Sequence, residues 1–217
     1  MTNDLCDVIF ISGDFMNISG NFNTLEREID IVKQILNIEK IPYIRVEKFG
    51  NPNDGDILVV FKNGKNVLIE VKEEKIKRFE KYGDLGIDYI STFYFKNRFD
   101  ESNWKGLHNP SEHERFIETI DTKKNFKPGK LTYSKSDLWL FFVVDDYGEL
   151  FYYNFFDGIE MTSENFKHYL KENCKFAVNN KSSNQLSCYD NYQSACFFIN
   201  HNDSVLKKFI RDIKDYT

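Results

Sequence analysis

The feature that most constrains this 217-residue chain is a pair of apolar runs joined by a tight turn. The first run, residues 56–61, reads Asp-Ile-Leu-Val-Val-Phe, and the second, residues 67–72, reads Val-Leu-Ile-Glu-Val-Lys. The residues between them are Lys-Asn-Gly-Lys-Asn, and Asn and Gly tolerate the positive φ values that a tight hairpin turn requires. The pattern predicts a β-hairpin that must bury at least one face.

This hairpin carries the residues from which chemistry can be inferred. Side chains alternate between the two faces of a strand, so Glu70 and Lys72 share a face. Asp56 heads the first strand, and antiparallel pairing predicts that it lies close to both. Two carboxylates can bind a hard divalent cation, which can activate water and stabilise a leaving oxygen. A neighbouring lysine can orient the attacking water or stabilise negative charge, so the group predicts hydrolysis of a phosphodiester.

A Glu-x-Lys triplet by itself carries little information. Chance predicts about two such triplets in a chain of this composition, and the chain has two, at residues 70–72 and 73–75. The second lies in a charged segment, whereas the first ends an apolar strand that follows an Asp-headed strand. The alternative is that Glu70 and Lys72 are paired neighbours on the solvent face of an edge strand. The pattern alone does not decide between the two.

The order of predicted elements favours an α/β fold with a mixed central β-sheet flanked by helices. Leu25, Ile29, Val32 and Leu36 form one apolar stripe, which predicts a helix over residues 24–38. We predict one protein domain, with a core at 1–160 and a C-terminal helical extension, 161–217, packed on it. The other predicted elements are strands at 8–11, 43–49 and 87–95, a long loop at 97–130 with a short helix near 111–120, a second hairpin of 138–144 and 149–156, and helices at 163–173 and 205–213.

Composition and motifs narrow the function classes. The net charge is −5, which argues against a non-specific nucleic-acid coat but not against an enzyme with a local basic surface. No membrane-spanning stretch or secretory signal is evident, so we expect a cytoplasmic protein with no membrane partner. Cys6, Cys174, Cys188 and Cys196 form no C-x-x-C pair and are expected to be reduced thiols. Nucleotide-binding and serine-hydrolase motifs are absent from the sequence.

The hairpin resembles the core of a known family. Gly55-Asp56-Ile57, followed by residues 69–72 (Ile-Glu-Val-Lys), looks like the PD-(D/E)XK nuclease superfamily. Residues 81–88 and 129–139 are similar to later segments of its phage-type members, so the resemblance covers residues 24–156. It implies a restriction-endonuclease-like core and a nuclease that uses Mg²⁺ or Mn²⁺ on DNA, with RNA as the less favoured substrate. It is also compatible with a homodimer.

The resemblance assigns roles to four residues. It implies that Asp56 and Glu70 ligate the metal, that Lys72 assists the attacking water, and that an acid on the first helix completes the group. That helix acid maps onto Glu28, four residues before Val32 of the apolar stripe.

Two of these assignments have competitors. Glu26 competes with Glu28, although a capping box with Asn23 accounts for Glu26. Asp54 competes with Asp56, although Asp54 precedes Gly55 and suits the turn. We therefore prefer Glu28 and Asp56.

Contacts to nucleic acid are expected from Lys135, Lys75 and Arg78, which could meet phosphates. Glutamates interleave the basic run 75–81, so an ordinary solvated helix face is the alternative. Asp88 could support the metal indirectly, and His108 and His113 lack the ligand spacing of a zinc site. The alternative function is a catalytically inactive nuclease-fold protein that binds nucleic acid or another protein.

Overall fold

A computed structural model describes residues 24–49, 55–104, 106–180 and 193–217 of the chain. The predicted strand at residues 8–11 lies outside these ranges, and so do Asn23, Asp54, Cys6 and Cys188. Cys174 and Cys196 are buried free thiols, as expected. Within the described ranges, no helix is long and apolar enough to cross a membrane.

The described residues form helices and strands that are numbered in chain order. The helices are α1 (Thr24–Ile38), α2 (Ile76–Tyr82), α3 (Arg98–Glu101), α4 (His113–Thr119), α5 (Lys130–Tyr133), α6 (Gly158–Met161), α7 (Glu164–Asn173) and α8 (Ser204–Lys207). The strands are β1 (Tyr43–Lys48), β2 (Ile57–Phe61), β3 (Asn66–Lys75), β4 (Asp84–Phe93), β5 (Gly106–His108), β6 (Lys127–Pro128), β7 (Leu138–Val144), β8 (Leu150–Asp157), β9 (Lys175–Asn180), β10 (Gln193–Asn200) and β11 (Ile210–Arg211). Two 3₁₀ turns, Pro110–Glu112 and Ile213–Tyr216, complete them.

The chain forms two compact units, each assembled from separate stretches of sequence. The first unit contains the described residues of Met1–Gly83, Lys135–Gly158 and Lys208–Thr217, and the second contains those of Asp84–Ser134 and Ile159–Lys207. The predicted boundary at residue 160 is therefore not the division that the structure shows. A single boundary in the sequence cannot separate these units, because their stretches alternate along the chain.

The first unit is built on a six-stranded mixed sheet with the order β1-β2-β3-β7-β8-β11. Both predicted hairpins are present, as β2–β3 and β7–β8. The two hairpins meet where β3 and β7 run parallel, and the other neighbours in the sheet are antiparallel. This mixed sheet with its flanking helices confirms the predicted α/β class.

Helix α1 covers one face of this sheet, and its bounds agree with the predicted 24–38. Val32, Ile35 and Leu36 of α1 are fully buried in one cluster with Ile69 and Val71 of β3. Burying a side chain of this size stabilises the fold by about 1.5–3 kcal/mol. Because Ile69 and Val71 face α1, strand alternation directs the intervening Glu70 to the opposite face.

The second unit is built on a five-stranded antiparallel sheet with the order β5-β9-β10-β4-β6. Aromatic rings fill its interior. Phe116 of α4 packs edge-on against Phe93 of β4 at 5.3 Å between centroids, and lies 5.2 Å from Phe176 of β9. The short helix predicted near 111–120 is therefore α4, and it is held by aromatic packing.

The helical character predicted for 161–217 is wrong. Helix α7 is present at the predicted 163–173, but β9 and β10 follow it and pair with each other, and β10 also pairs with β4. The helix predicted at 205–213 is also wrong, since α8 ends at Lys207. Ile210 and Arg211 pair instead with Phe156 and Phe155 of β8. Hydrogen bonds to strands distant in sequence determine the secondary structure of these segments. The local periodicity of the sequence does not indicate such pairings.

Candidate active site

The β2–β3 hairpin brings Asp56 beside Glu70. The backbone N–H of Asp56 donates to the carbonyl of Ile69 at 3.0 Å, and the N–H of Val71 donates to Asp56 Oδ2 at 2.9 Å. Asp56 thus contacts β3 on either side of Glu70. Ile57 and Ile69 are the last paired residues of β2 and β3. Beyond them, the Asp56 carboxylate accepts the hydrogen bond of the Val71 backbone N–H in place of a backbone carbonyl of β2.

Glu70 is fully buried, although it is a carboxylate in the middle of a sheet. Its Oε1 lies 3.1 Å from Nζ of Lys72, whose side chain is 17% exposed. A buried carboxylate is costly unless a cation compensates it, and Lys72 supplies that charge here. The prediction that these two side chains share a face is confirmed. The alternative of an exposed edge strand is excluded, because β3 is paired on both sides.

Aromatic side chains of β7 lie beside this ion pair. Glu70 is in register with Trp139 of β7, and Lys72 is in register with Phe141. The Lys72 ammonium lies 5.9 Å from the centroid of the Trp139 ring, at the distance of a cation–π contact. The indole Nε1–H of Trp139 is buried and has no hydrogen-bond partner in the described part of the chain. The apolar ring lowers the local polarity and strengthens the attraction between Lys72 and Glu70.

Helix α1 contributes a third carboxylate, that of Glu28. The pKa of Glu28 is raised from 4.5 to about 7, first by burial and then by the negative charges of Asp56, Glu73 and Glu70, while Lys72 acts to lower it. A carboxyl group whose pKa is raised by neighbouring carboxylates is in a site that favours bound positive charge. Glu26 is exposed on the same helix, so the structure places Glu28, rather than its competitor, among the acids.

Glu73 also belongs to this cluster, although the sequence pattern places it only in a charged segment after the predicted site. Its Oε1 accepts from Arg27 Nη2 at 2.7 Å, and Lys75 Nζ lies 2.7 Å from the same oxygen. Arg27 precedes Glu28, and Glu73 follows Lys72, so this ion pair ties α1 to β3 immediately beside two site residues. The adjacency of Glu73 to the Glu-x-Lys triplet was the only signal in the sequence that could have found it.

The donor set suits a hard divalent cation, because Asp56, Glu70, Glu28 and Glu73 supply only carboxylate oxygens. The described residues nevertheless contain no group of three or more His, Cys, Asp or Glu side chains that could hold a metal ion as they stand. The structure therefore brings the predicted residues into one electrostatic cluster without converging them into a three-ligand site. The chemistry of Mg²⁺ or Mn²⁺ fits these residues, with water completing the coordination of the ion.

The three predicted phosphate contacts are in different situations. Lys75 pairs with Glu73, and Arg78 pairs with Glu74 one helical turn away. Both cations are thus balanced locally, which matches the alternative of a solvated, charge-paired face. Lys135 is exposed just before β7.

The remaining candidates lie in the second unit. Asp88 accepts a hydrogen bond from the Cys196 thiol at 3.3 Å. His108 Nδ1 lies 3.5 Å from Glu112, and its ring centroid is 4.9 Å from that of Trp104. His113 is buried, and this burial lowers its pKa from 6.5 to about 4, with Lys171 acting in the same direction. Aromatic packing, rather than metal ligation, accounts for both histidines.

Comparison of the chain with protein-family models, with curated proteins and with solved structures finds no match.

Proposed function

We propose that this protein is a divalent-metal-dependent nuclease of the PD-(D/E)XK type that hydrolyses phosphodiester bonds in DNA. The observation that carries the proposal is the cluster of Asp56, Glu70 and Lys72 on one hairpin, whose charges also act on the pKa of Glu28 in α1. The arrangement of α1, the β1–β3 meander and parallel β7 supports a restriction-endonuclease-like core.

Each residue has a role that its environment supports. Asp56 and Glu70 would hold Mg²⁺ or Mn²⁺ together with water, and Glu28 would complete the acidic group. The bound ion would supply charge neutralisation and an acidified water. Lys72 Nζ, which already lies beside Glu70, would orient the attacking water or stabilise charge on the phosphate. Lys72 is held by Glu70 and Trp139, so its ammonium is positioned before substrate arrives.

Cleavage assays test this proposal. Purified protein is incubated with supercoiled plasmid and with labelled oligonucleotides in Mn²⁺, Mg²⁺ or EDTA. We expect cleavage only with metal, and a loss of about 100-fold or more in Glu70→Gln and in Lys72→Ala. Glu47→Gln, which removes a carboxylate from β1 of the same sheet, is the matched control and should cleave normally. Absence of metal-dependent cleavage, or full activity in both site variants, contradicts the proposal.

A second candidate is a nuclease fold without catalysis that serves as a binding module. It is favoured by the absence of a three-ligand metal group among the described residues and by the net charge of −5. Metal titration separates the candidates, because an ion that binds the native state raises its stability. A rise in melting temperature with Mn²⁺ that Glu70→Gln abolishes supports the nuclease. An unchanged melting temperature supports the binding module.

A further inference from the structure

The second unit carries a concentration of positive charge that the proposed nuclease chemistry does not use. Residues 94–99 and 119–127 contain five cationic side chains and a single acidic one, in a protein whose net charge is −5. All five cations are exposed, and they are Lys96, Arg98, Lys123, Lys124 and Lys127. We call the exposed residues of these two segments the basic–aromatic surface.

Backbone hydrogen bonds hold the two segments side by side. The N–H of Lys96 donates to the carbonyl of Thr119 at 2.9 Å, and the N–H of Asp121 donates to the carbonyl of Tyr94 at 2.8 Å. Phe95 and Ile120 form the bridge between these two bonds. Cations that are 25 or more residues apart in the sequence are therefore carried on neighbouring segments of the surface.

The end of the second segment is fixed to β4. Ser91 Oγ donates to the carbonyls of Lys127 and Pro128 at 3.2 and 3.1 Å. Gly129 lies so close to β4 that a Cβ there would be 2.2 Å from the carbonyl oxygen of Asp88. The lysines of this segment are thus presented on a held backbone, which reduces the ordering cost of binding.

The acids in and beside these segments do not cancel the positive charge. The Asp121 carboxylate accepts the backbone N–H of Lys123 at 3.1 Å and so serves the turn. Lys96 Nζ donates to the backbone carbonyl of Glu118, whose own side chain is exposed on α4. Two further acids follow the first segment at the end of α3. With these neighbours included, five cations stand against four acids, so a small excess of positive charge remains.

Aromatic rings accompany these cations. Phe93 and Phe95 pack edge-on at 5.3 Å, and both contact Phe116. Tyr94, between them, has its ring 5.1 Å from Nζ of Lys124 instead. Phe99 is 81% exposed, so its ring is open to contact with a ligand. The exposed Phe99 ring, next to Arg98 in the sequence, offers a stacking platform close to a cation that can bind phosphate.

We propose that the basic–aromatic surface binds single-stranded DNA, with its lysines on the phosphates and Phe99 stacked on a base. Single strands are favoured over duplex because only unpaired bases present their faces to an aromatic ring. The inference rests on the proposed function in one respect, since it names the strandedness of the nuclease substrate.

Binding in EDTA tests this proposal without requiring cleavage. The probe is a fluorescein-labelled oligothymidylate of about 20 nucleotides, and fluorescence anisotropy gives the Kd at several salt concentrations. We expect Lys123→Glu/Lys124→Glu to raise the Kd by about tenfold or more and to reduce the salt slope by about 1.4, as the loss of two phosphate contacts requires. Phe99→Ala should raise the Kd by about tenfold.

Matched controls identify the surface. Lys62→Glu/Lys65→Glu makes the same charge change at two exposed lysines of the β2–β3 turn, and it should leave the Kd within about twofold of wild type. Ile44→Ala removes another exposed apolar side chain, which is 62% exposed, and should have no effect.

Three results overturn the proposal. They are equal losses in the two lysine pairs, unchanged binding in Lys123→Glu/Lys124→Glu, and wild-type binding to a duplex as tight as to the single strand. Probe binding in EDTA does not require the metal, whereas the cleavage assay does. Failure of this surface and failure of the nuclease site therefore give different patterns.

Discussion

Replacing Glu28 with Gln should stabilise the protein at high pH while destroying activity. The pKa of Glu28 is raised from 4.5 to about 7 in the folded chain, so folding takes up a proton between these two values. Stability therefore falls as the pH rises through this window, and the cost is complete above pH 7. The pKa difference corresponds to about 3 kcal/mol. Partial exposure of the side chain reduces the expected gain to about 1–2 kcal/mol.

The assay is urea unfolding at about pH 4 and pH 8. The chain has two tryptophans, so a Trp104→Phe background leaves Trp139, which is buried in the first unit, as the reporter. Following one unit matters because a chain with two units need not unfold in one step. We expect Glu28→Gln to add about 1–2 kcal/mol at about pH 8 and almost nothing at about pH 4. Glu26→Gln, exposed on the same helix, is the control.

Metal provides a second test of the same residue. An ion bound near Glu28 would favour its ionised form, so Mn²⁺ should stabilise wild type at about pH 8 more than it stabilises Glu28→Gln. A gain in Glu28→Gln that is equal at both pH values would show that charge is not its cause. A loss of stability at the higher pH would refute the electrostatic argument for the cluster.

The contacts lead to three further expectations. Arg27→Met and Glu73→Gln should each lower the cleavage rate at saturating substrate. A double-mutant cycle on the free energy of unfolding should give a coupling of about 0.5–1 kcal/mol between the two residues. Absence of coupling would mean that this ion pair does not tie α1 to β3. His113 is buried neutral, so stability should fall by about 2–3 kcal/mol between pH 6.5 and 4, and urea titrations should find this loss missing in His113→Phe. Gly129→Ala should destabilise the second unit by about 1–3 kcal/mol because its Cβ meets the Asp88 backbone, and an unchanged melting temperature would contradict that close approach.

Much of the first unit could be predicted because its signals are local. The two apolar runs and the Asn-Gly turn predict the β2–β3 hairpin, and the stripe through Val32 and Leu36 predicts α1. Glu70 and Lys72 share a face for the same reason, since strand alternation needs no tertiary information. The sequence does not show that β3 is an interior strand, which depends on its parallel pairing with β7.

The charge partners illustrate what local patterns miss. Glu73 and Lys75 read as parts of a solvated charged run, yet Glu73 joins Arg27 across 46 positions of sequence. The five cations of the basic–aromatic surface come from segments separated by a helix and a strand, and the bridge at Phe95 makes them neighbours. Contacts of this kind form when distant segments of the chain come together, and the periodicity of a single sequence does not indicate which segments will do so.

By itself, the sequence determined the hairpin, the first helix and the shared face of Glu70 with Lys72, because hydrogen bonding between near neighbours and side-chain alternation act over a few residues. Tertiary structure alone decided the rest. It divided the chain into two units whose stretches alternate along the sequence, turned residues 175–180 and 193–200 into strands, and buried Glu28 near other carboxylates, which raises its pKa. These outcomes depend on strand pairing and burial between segments that are distant in the sequence. Such interactions stabilise the protein only when the folded chain brings the segments together.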